Sequence, residues 1–166
     1  MKSDKIIIQQ PQPFDLVDRK ILIAGLAVGF EGTISLYIGD GHYEVESFAT
    51  TGATSLRQFQ AVVEIPEEIQ FKLDRITLLA IDDSAGCEEA PCPSVTIPLL
   101  FAPRILEGYT GFWFHRVQKG ETLSSLAQQY YNDSTKWKVI YRANIDTISN
   151  PDIIYPGQLL RILRND

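Results

Sequence analysis

The sequence is poor in basic charge, in long apolar runs, in cysteine and in every short pattern that assembles a nucleophile. Lys and Arg number 15 against 21 Asp and Glu, so the net charge is -6 and the pI lies near 4.9. No basic run exceeds two residues. A nucleic-acid backbone or an anionic membrane surface is therefore excluded as the main partner, because both select for clustered Lys and Arg. The apolar run nearest the start, Ile6-Ile7-Ile8, falls far short of the roughly 20 residues of a membrane span and of a secretory core segment. With Met1 as the first residue, the chain reads as one that does not use the general export route. Cysteine occurs only as Cys87 and Cys92, and histidine only as His42 and His115. A structural zinc needs about four ligands at short spacing, so no metal is expected. The cysteines fit either a local disulfide across their loop or two free thiols. G-x-S-x-G, H-E-x-x-H and phosphate-cradling glycine loops are missing. Acidic residues are numerous enough to leave a carboxylate pair open as a catalytic arrangement, but the expectation is a non-enzyme without a cofactor.

What is present is an ordinary folding composition, 45% apolar and 22% charged, with two different periodicities. From Ile6 to Phe101 the apolar period is near two and Gly, Asp and Pro punctuate it. Strands are expected at Ile6-Ile7-Ile8, 21–27, 33–38, 43–48, 58–65, 75–81 and 95–101. Pro11 and Pro13 stop the first, Gly25 marks a bulge or a close backbone approach, and Gly39-Asp40-Gly41 makes a hairpin turn. About seven short strands in about 100 residues without a helix fit an immunoglobulin-like sandwich. Within it Phe30 reads as a core residue, Glu31 as an acceptor of backbone N–H bonds, and Asp82, Asp83, Glu88 and Glu89 as a solvated acidic loop lacking calcium-loop spacing.

The period changes after residue 111. Gly120 suits a sharp turn and Thr122 a helix cap. Leu123, Leu126, Ala127, Tyr130 and Tyr131 then recur at i, i+3, i+4, i+7 and i+8, one stripe of a helix. Asp133 or Ser134 can cap a second helix carrying Trp137, Ile140 and Tyr141, which ends at Asn144. Tyr155-Pro156-Gly157-Gln158 has the composition of a type II turn leading into a last strand, 159–163.

The strings HRVQKGETLSSLAQQYY, WKVIYRAN and NPDIIYPGQLLRI, in that order, resemble a LysM domain. That resemblance implies two paired end strands with both helices on one side. It also implies a groove for N-acetylglucosamine polymers, with Gly120, Glu121, Thr122 and Leu123 on one wall and Asp152, Ile153, Ile154 and Tyr155 on the other. Gly120 and the Pro-Gly pair are also needed by the turns themselves, and Leu123 and Ile154 can serve simply to close the core. The string LAVGFEGT, with IDDSAG and VTIPL, resembles the immunoglobulin-like domain of bacterial spore-germination proteins, which implies a fold and an adhesive or scaffolding use. The fold expected is thus multi-domain: an all-β immunoglobulin-like sandwich at 1–101, a linker at 102–111 and a small α+β LysM domain of βααβ order at 112–166. Phe112, Trp113 and Phe114 follow the linker on a strand. Alternation leaves aromatic surface over, so an interdomain or partner contact is expected there.

Two functions fit. The longer form of the LysM-like segment resembles the modules of phage-tail and contractile-injection baseplate proteins, which implies a scaffold among protein neighbours, located in the cytoplasm or in the particle. The alternative is a cell-wall attachment protein binding peptidoglycan or another N-acetylglucosamine polymer. One copy of a module usually repeated for avidity and few groove aromatics beyond Tyr155 weigh against the second reading.

Overall fold

The computed structural model describes residues 5–83 and 91–165. The chain divides into two compact units, Met1–Phe101 and Ala102–Asp166.

In the first unit the strands are β1 (Ile6–Gln10), β2 (Leu16–Val17), β3 (Lys20–Ala27), β4 (Thr33–Gly39), β5 (Glu44–Thr50), β6 (Arg57–Glu64), β7 (Arg75–Ile81) and β8 (Ser94–Phe101). They form a three-stranded sheet in the order β1-β3-β6 and a five-stranded sheet in the order β2-β8-β7-β4-β5. All pairings are antiparallel except β2 with β8. Alternation sets the two faces. Ile34, Leu36 and Ile38 of β4 and Ile76, Leu78 and Ala80 of β7 point inward, and they share one buried cluster with Ile21, Ile23, Phe59 and Val63 of the other sheet. That shared core makes the unit a sandwich.

Gly25 sits where β1 shifts register between Ile8 and Gln10. A Cβ there would stand 2.1 Å from the Ile7 carbonyl oxygen, so the close approach needs glycine. At the β4–β5 turn, the Asp40 side chain accepts backbone N–H bonds from His42, Tyr43, Lys72 and Leu73. It thereby ties the hairpin to the segment before β7.

Three expectations change. Phe30 is not a core residue: it stands 55% exposed on a 3-10 turn at Phe30–Gly32. Glu31 adopts a left-handed φ of 60° there, and the carboxylate that accepts a backbone bond is that of Asp82, from the Phe30 N–H at 3.0 Å. Asp83 takes the hydroxyls of Ser35 and Tyr37 on β4, so both aspartates of the expected acidic loop are held, Asp82 by the 3-10 turn and Asp83 by the sheet. Glu88, Glu89 and Cys87 lie outside the described residues; Cys92 is disulfide-bonded.

The second unit opens with one turn of helix, α1 (Ala102–Ile105), where a featureless linker is expected. Pro103 is tolerated because the first turn of a helix has no use for its missing N–H, and Ala102, Ile105 and Leu106 are buried. Then follow β9 (Gly111–Arg116), α2 (Leu123–Tyr131), a 3-10 turn (Ser134–Lys136), α3 (Trp137–Arg142) and β10 (Leu159–Arg164). β9 and β10 pair antiparallel with His115 opposite Leu160 and Phe114 opposite Arg161. Leu123, Leu126 and Ala127 of α2, Ile140 of α3 and Leu160 and Ile162 of β10 close the core, with Tyr130, Trp137, Tyr141 and Ile154 packed at its margin.

Asn144 does more than follow the last helix, which stops at Arg142. Its buried amide donates to the carbonyls of Ile140 and Arg161 at 2.7 and 2.8 Å and accepts the Arg161 N–H at 2.8 Å. The side chain thus fills the place of a neighbouring strand along β10.

Candidate functional site

The turn between β9 and α2 is built by Gly120, whose φ of 90° suits a residue without a Cβ. The helix that follows starts with a reciprocal cap. Thr122 Oγ1 accepts the Ser125 N–H at 3.1 Å, and Ser125 Oγ accepts the Thr122 N–H at 2.9 Å, which is the capping-box arrangement with serine in the usual Glu/Gln position. The first-turn amides of Leu123 and Ser124 have no intrahelical partner by construction.

Facing this turn is the chain from Asn150 to Gln158. Asn150 Oδ1 accepts the Asp152 N–H at 3.0 Å. Pro156-Gly157 forms the expected turn: Gly157 has φ 89° and Gln158 N donates to the Tyr155 carbonyl at 3.0 Å. Two backbone bonds, Val117 N to Gln158 O and Gly157 N to Val117 O, fasten that turn to the end of β9. The strand that feeds one wall therefore fixes the position of the other.

Between them lies a cleft of about 390 Å³. One side is formed by Glu121, Thr122, Leu123 and Ser124, the other by Pro151, Asp152 and Ile154, and Trp137 of α3 contributes an aromatic surface. Of the residues expected on the walls, Gly120, Ile153 and Tyr155 do not line the cleft. Ile153 and Tyr155 are exposed beside it, and Gly120 shapes the turn behind it. Ser124, Pro151 and Trp137 are additions. Trp137 reads in sequence as a core anchor; it serves the core margin and the cleft at once, which a helical stripe alone does not reveal. Leu123 likewise is both buried core and cleft wall.

Glu121 is held from behind. Its Oε2 accepts the Gln118 N–H at 2.7 Å and meets His115 Nε2 at 2.8 Å, while His115 Nδ1 lies 3.0 Å from the Tyr130 hydroxyl. The Gln118 N–H and then the His115 bond hold the Glu121 carboxyl below its ordinary range.

The aromatic run on β9 splits as alternation requires. Phe112 and Phe114 meet edge to face with ring centres 5.2 Å apart and stay exposed. Trp113 turns the other way, against Tyr130 and beneath the Arg164 guanidinium. Among the described residues no group of three or more His, Cys, Asp or Glu side chains converges for a metal, and no helix is long and apolar enough to cross a membrane.

Residues 115–163 match the LysM domain. Residues 5–86 match the immunoglobulin-like domain of bacterial spore germination. Both are binding modules rather than catalytic ones. Over 53 residues the chain is 42% identical to the potassium binding protein Kbp of Escherichia coli O6:H1, covering 32% of this chain and 36% of that protein. It is 47% identical over 53 residues to an uncharacterized protein of Deinococcus radiodurans, covering 32% of this chain and 20% of the relative. The chain thus spans well under half the length of these curated relatives. No solved structure matches it.

Proposed function

We propose that the protein is a non-enzymatic glycan binder that holds an N-acetylglucosamine polymer, peptidoglycan above all, in the LysM cleft, with the immunoglobulin-like unit as its scaffold. The observation that carries this reading is the cleft itself, with both walls drawn from the LysM segment and set by backbone bonds to one strand end. Its volume falls in the usual range for small-ligand sites, about 300–1,000 Å³, and its lining suits a sugar. Trp137, Leu123 and Ile154 offer apolar surface to the C–H face of a pyranose. Thr122, Ser124 and Asp152 offer hydrogen-bonding groups to its hydroxyls. The open amides of Leu123 and Ser124, at the positive end of the nine-residue helix α2, suit an acetamido carbonyl oxygen.

The contractile-assembly reading finds no support in the comparisons: what matches is a LysM domain and an immunoglobulin-like domain, and neither relative is named for a tail or baseplate. Glycan binding is therefore preferred to a protein-scaffold role, and on this reading the chain works at the cell wall. Calorimetric titration with the N-acetylglucosamine tetramer checks this. Binding is expected, weakened roughly fivefold in Ile154→Ala by the loss of one wall's apolar surface. Absence of heat with the tetramer and with peptidoglycan fragments would remove the reading.

A further inference from the structure

We infer that His115 is a positioning residue for the cleft, acting through Glu121, and that the hexosamine polymer of the proposed function donates a hydrogen bond to the Glu121 oxygen His115 leaves free. The inference rests on that proposed function and adds the role of a buried imidazole outside the cleft lining. His115 lies on the inward face of β9 with its side chain 10% exposed. Both of its ring nitrogens are engaged, Nε2 with Glu121 and Nδ1 with the Tyr130 hydroxyl. A carboxylate accepts only, so Nε2 carries a proton; in the neutral ring Nδ1 is then the acceptor and the Tyr130 hydroxyl donates to it. The chain Tyr130 to His115 to Glu121 is therefore directional and satisfied. It runs from α2 through the core face of β9 to the wall of the cleft.

The same oxygen, Glu121 Oε2, takes both the His115 and the Gln118 bonds. Oε1 has neither, and the residue lines the cleft. A sugar offers hydroxyl and acetamido N–H donors, and an acceptor already fixed in place binds one without the entropy cost of ordering a loose side chain. Glu121 follows Gly120 on a tight turn, where an unbraced glutamate would move freely. His115 and the Gln118 N–H remove that freedom.

The titratable and charged groups around this pair are few. β9 contributes His115 itself and α2 contributes Tyr130; Leu160 faces His115 across β10. From the opposite wall Asp152 is the other carboxylate of the cleft, while α3 presents the non-titrating Trp137. A structural histidine and a positioning one differ in their effect on ligand affinity as pH falls, because the His115 bond helps to keep Glu121 ionised.

The test is calorimetric titration of the full chain with the N-acetylglucosamine tetramer between about pH 3 and pH 7, for wild type, Glu121→Gln, His115→Gln and His115→Leu, with thermal unfolding of each recorded in parallel. Glu121→Gln folds normally and loses about tenfold in affinity at neutral pH, the loss of one charge-assisted bond. His115→Gln, whose amide can still donate to Glu121, keeps most of the neutral-pH affinity. His115→Leu loses several-fold, and its acid loss of affinity begins at higher pH than in wild type. If wild type binds the tetramer and Glu121→Gln binds equally well, the inference falls while the proposed function stands. An acid limb unmoved in His115→Leu also overturns the role of His115, as does, should the leucine variant not fold, a neutral-pH loss in His115→Gln as large as that in Glu121→Gln. If wild type does not bind, the proposed function falls and the inference with it.

Discussion

Asp40 and Asn144 show how single polar side chains fix the frame. Burial alone would push the Asp40 carboxyl up, but its four backbone N–H partners outweigh this and hold it at about 2, against an ordinary 3.8. A carboxyl depressed in the folded state contributes stability that is complete above its unfolded value and drains away as pH falls through the folded one. Asp40 should therefore contribute about 2 kcal/mol at neutral pH, lost between about pH 4 and pH 2. Urea unfolding of wild type and Asp40→Asn over that range measures it: the two stabilities should converge in acid, and a constant gap would contradict the assignment. In the sequence Asp40 reads only as a turn former, because its partners Lys72 and Leu73 lie more than thirty residues on. Asn144 is legible as a helix end for the same local reason, and its bonds to Arg161 are invisible because they close across 17 residues. His115 belongs with them: nothing in its spacing from Glu121 says that the Gly120 turn folds one back onto the other.

Elements with a clean period were legible and short ones were not. The expected strands recur within one or two residues, since alternation is a local property of each segment, whereas the two-residue β2 (Leu16–Val17) is too short to show a period. The stripe of α2 and the caps Thr122 and Asp133 were legible because each cap bonds within three residues of itself. The 3-10 turn ahead of α3 and the helix at Ala102–Ile105 were not, one being a distortion of a cap and the other a single turn around a proline. Gly25 gives this scale its test. A Cβ at that point meets the Ile7 carbonyl, so Gly25→Ala must push β1 off β3. The expected cost is about 2 kcal/mol, with faster amide exchange at the β1–β3 pairs. Unchanged protection of those amides would show that the sheet absorbs the extra carbon.

At the scale of the molecule, the sequence carries two stretches that match binding modules, one all β and the other a strand pair with helices. Which residues meet across the cleft was half legible. Glu121, Thr122, Leu123, Asp152 and Ile154 come from the resemblance, while Ser124, Pro151 and Trp137 appear only once α3 is packed beneath the turn. Under the proposed function this cleft, and no other surface of the chain, receives a hexosamine polymer. Amide and indole NMR shifts recorded during titration with the N-acetylglucosamine tetramer test it most directly. Saturable changes are expected at Glu121, Thr122, Ser124, Asp152, Ile154 and the Trp137 indole, with the strands of the first unit unmoved. Changes confined to Phe112 and Phe114, or none at all, would contradict it.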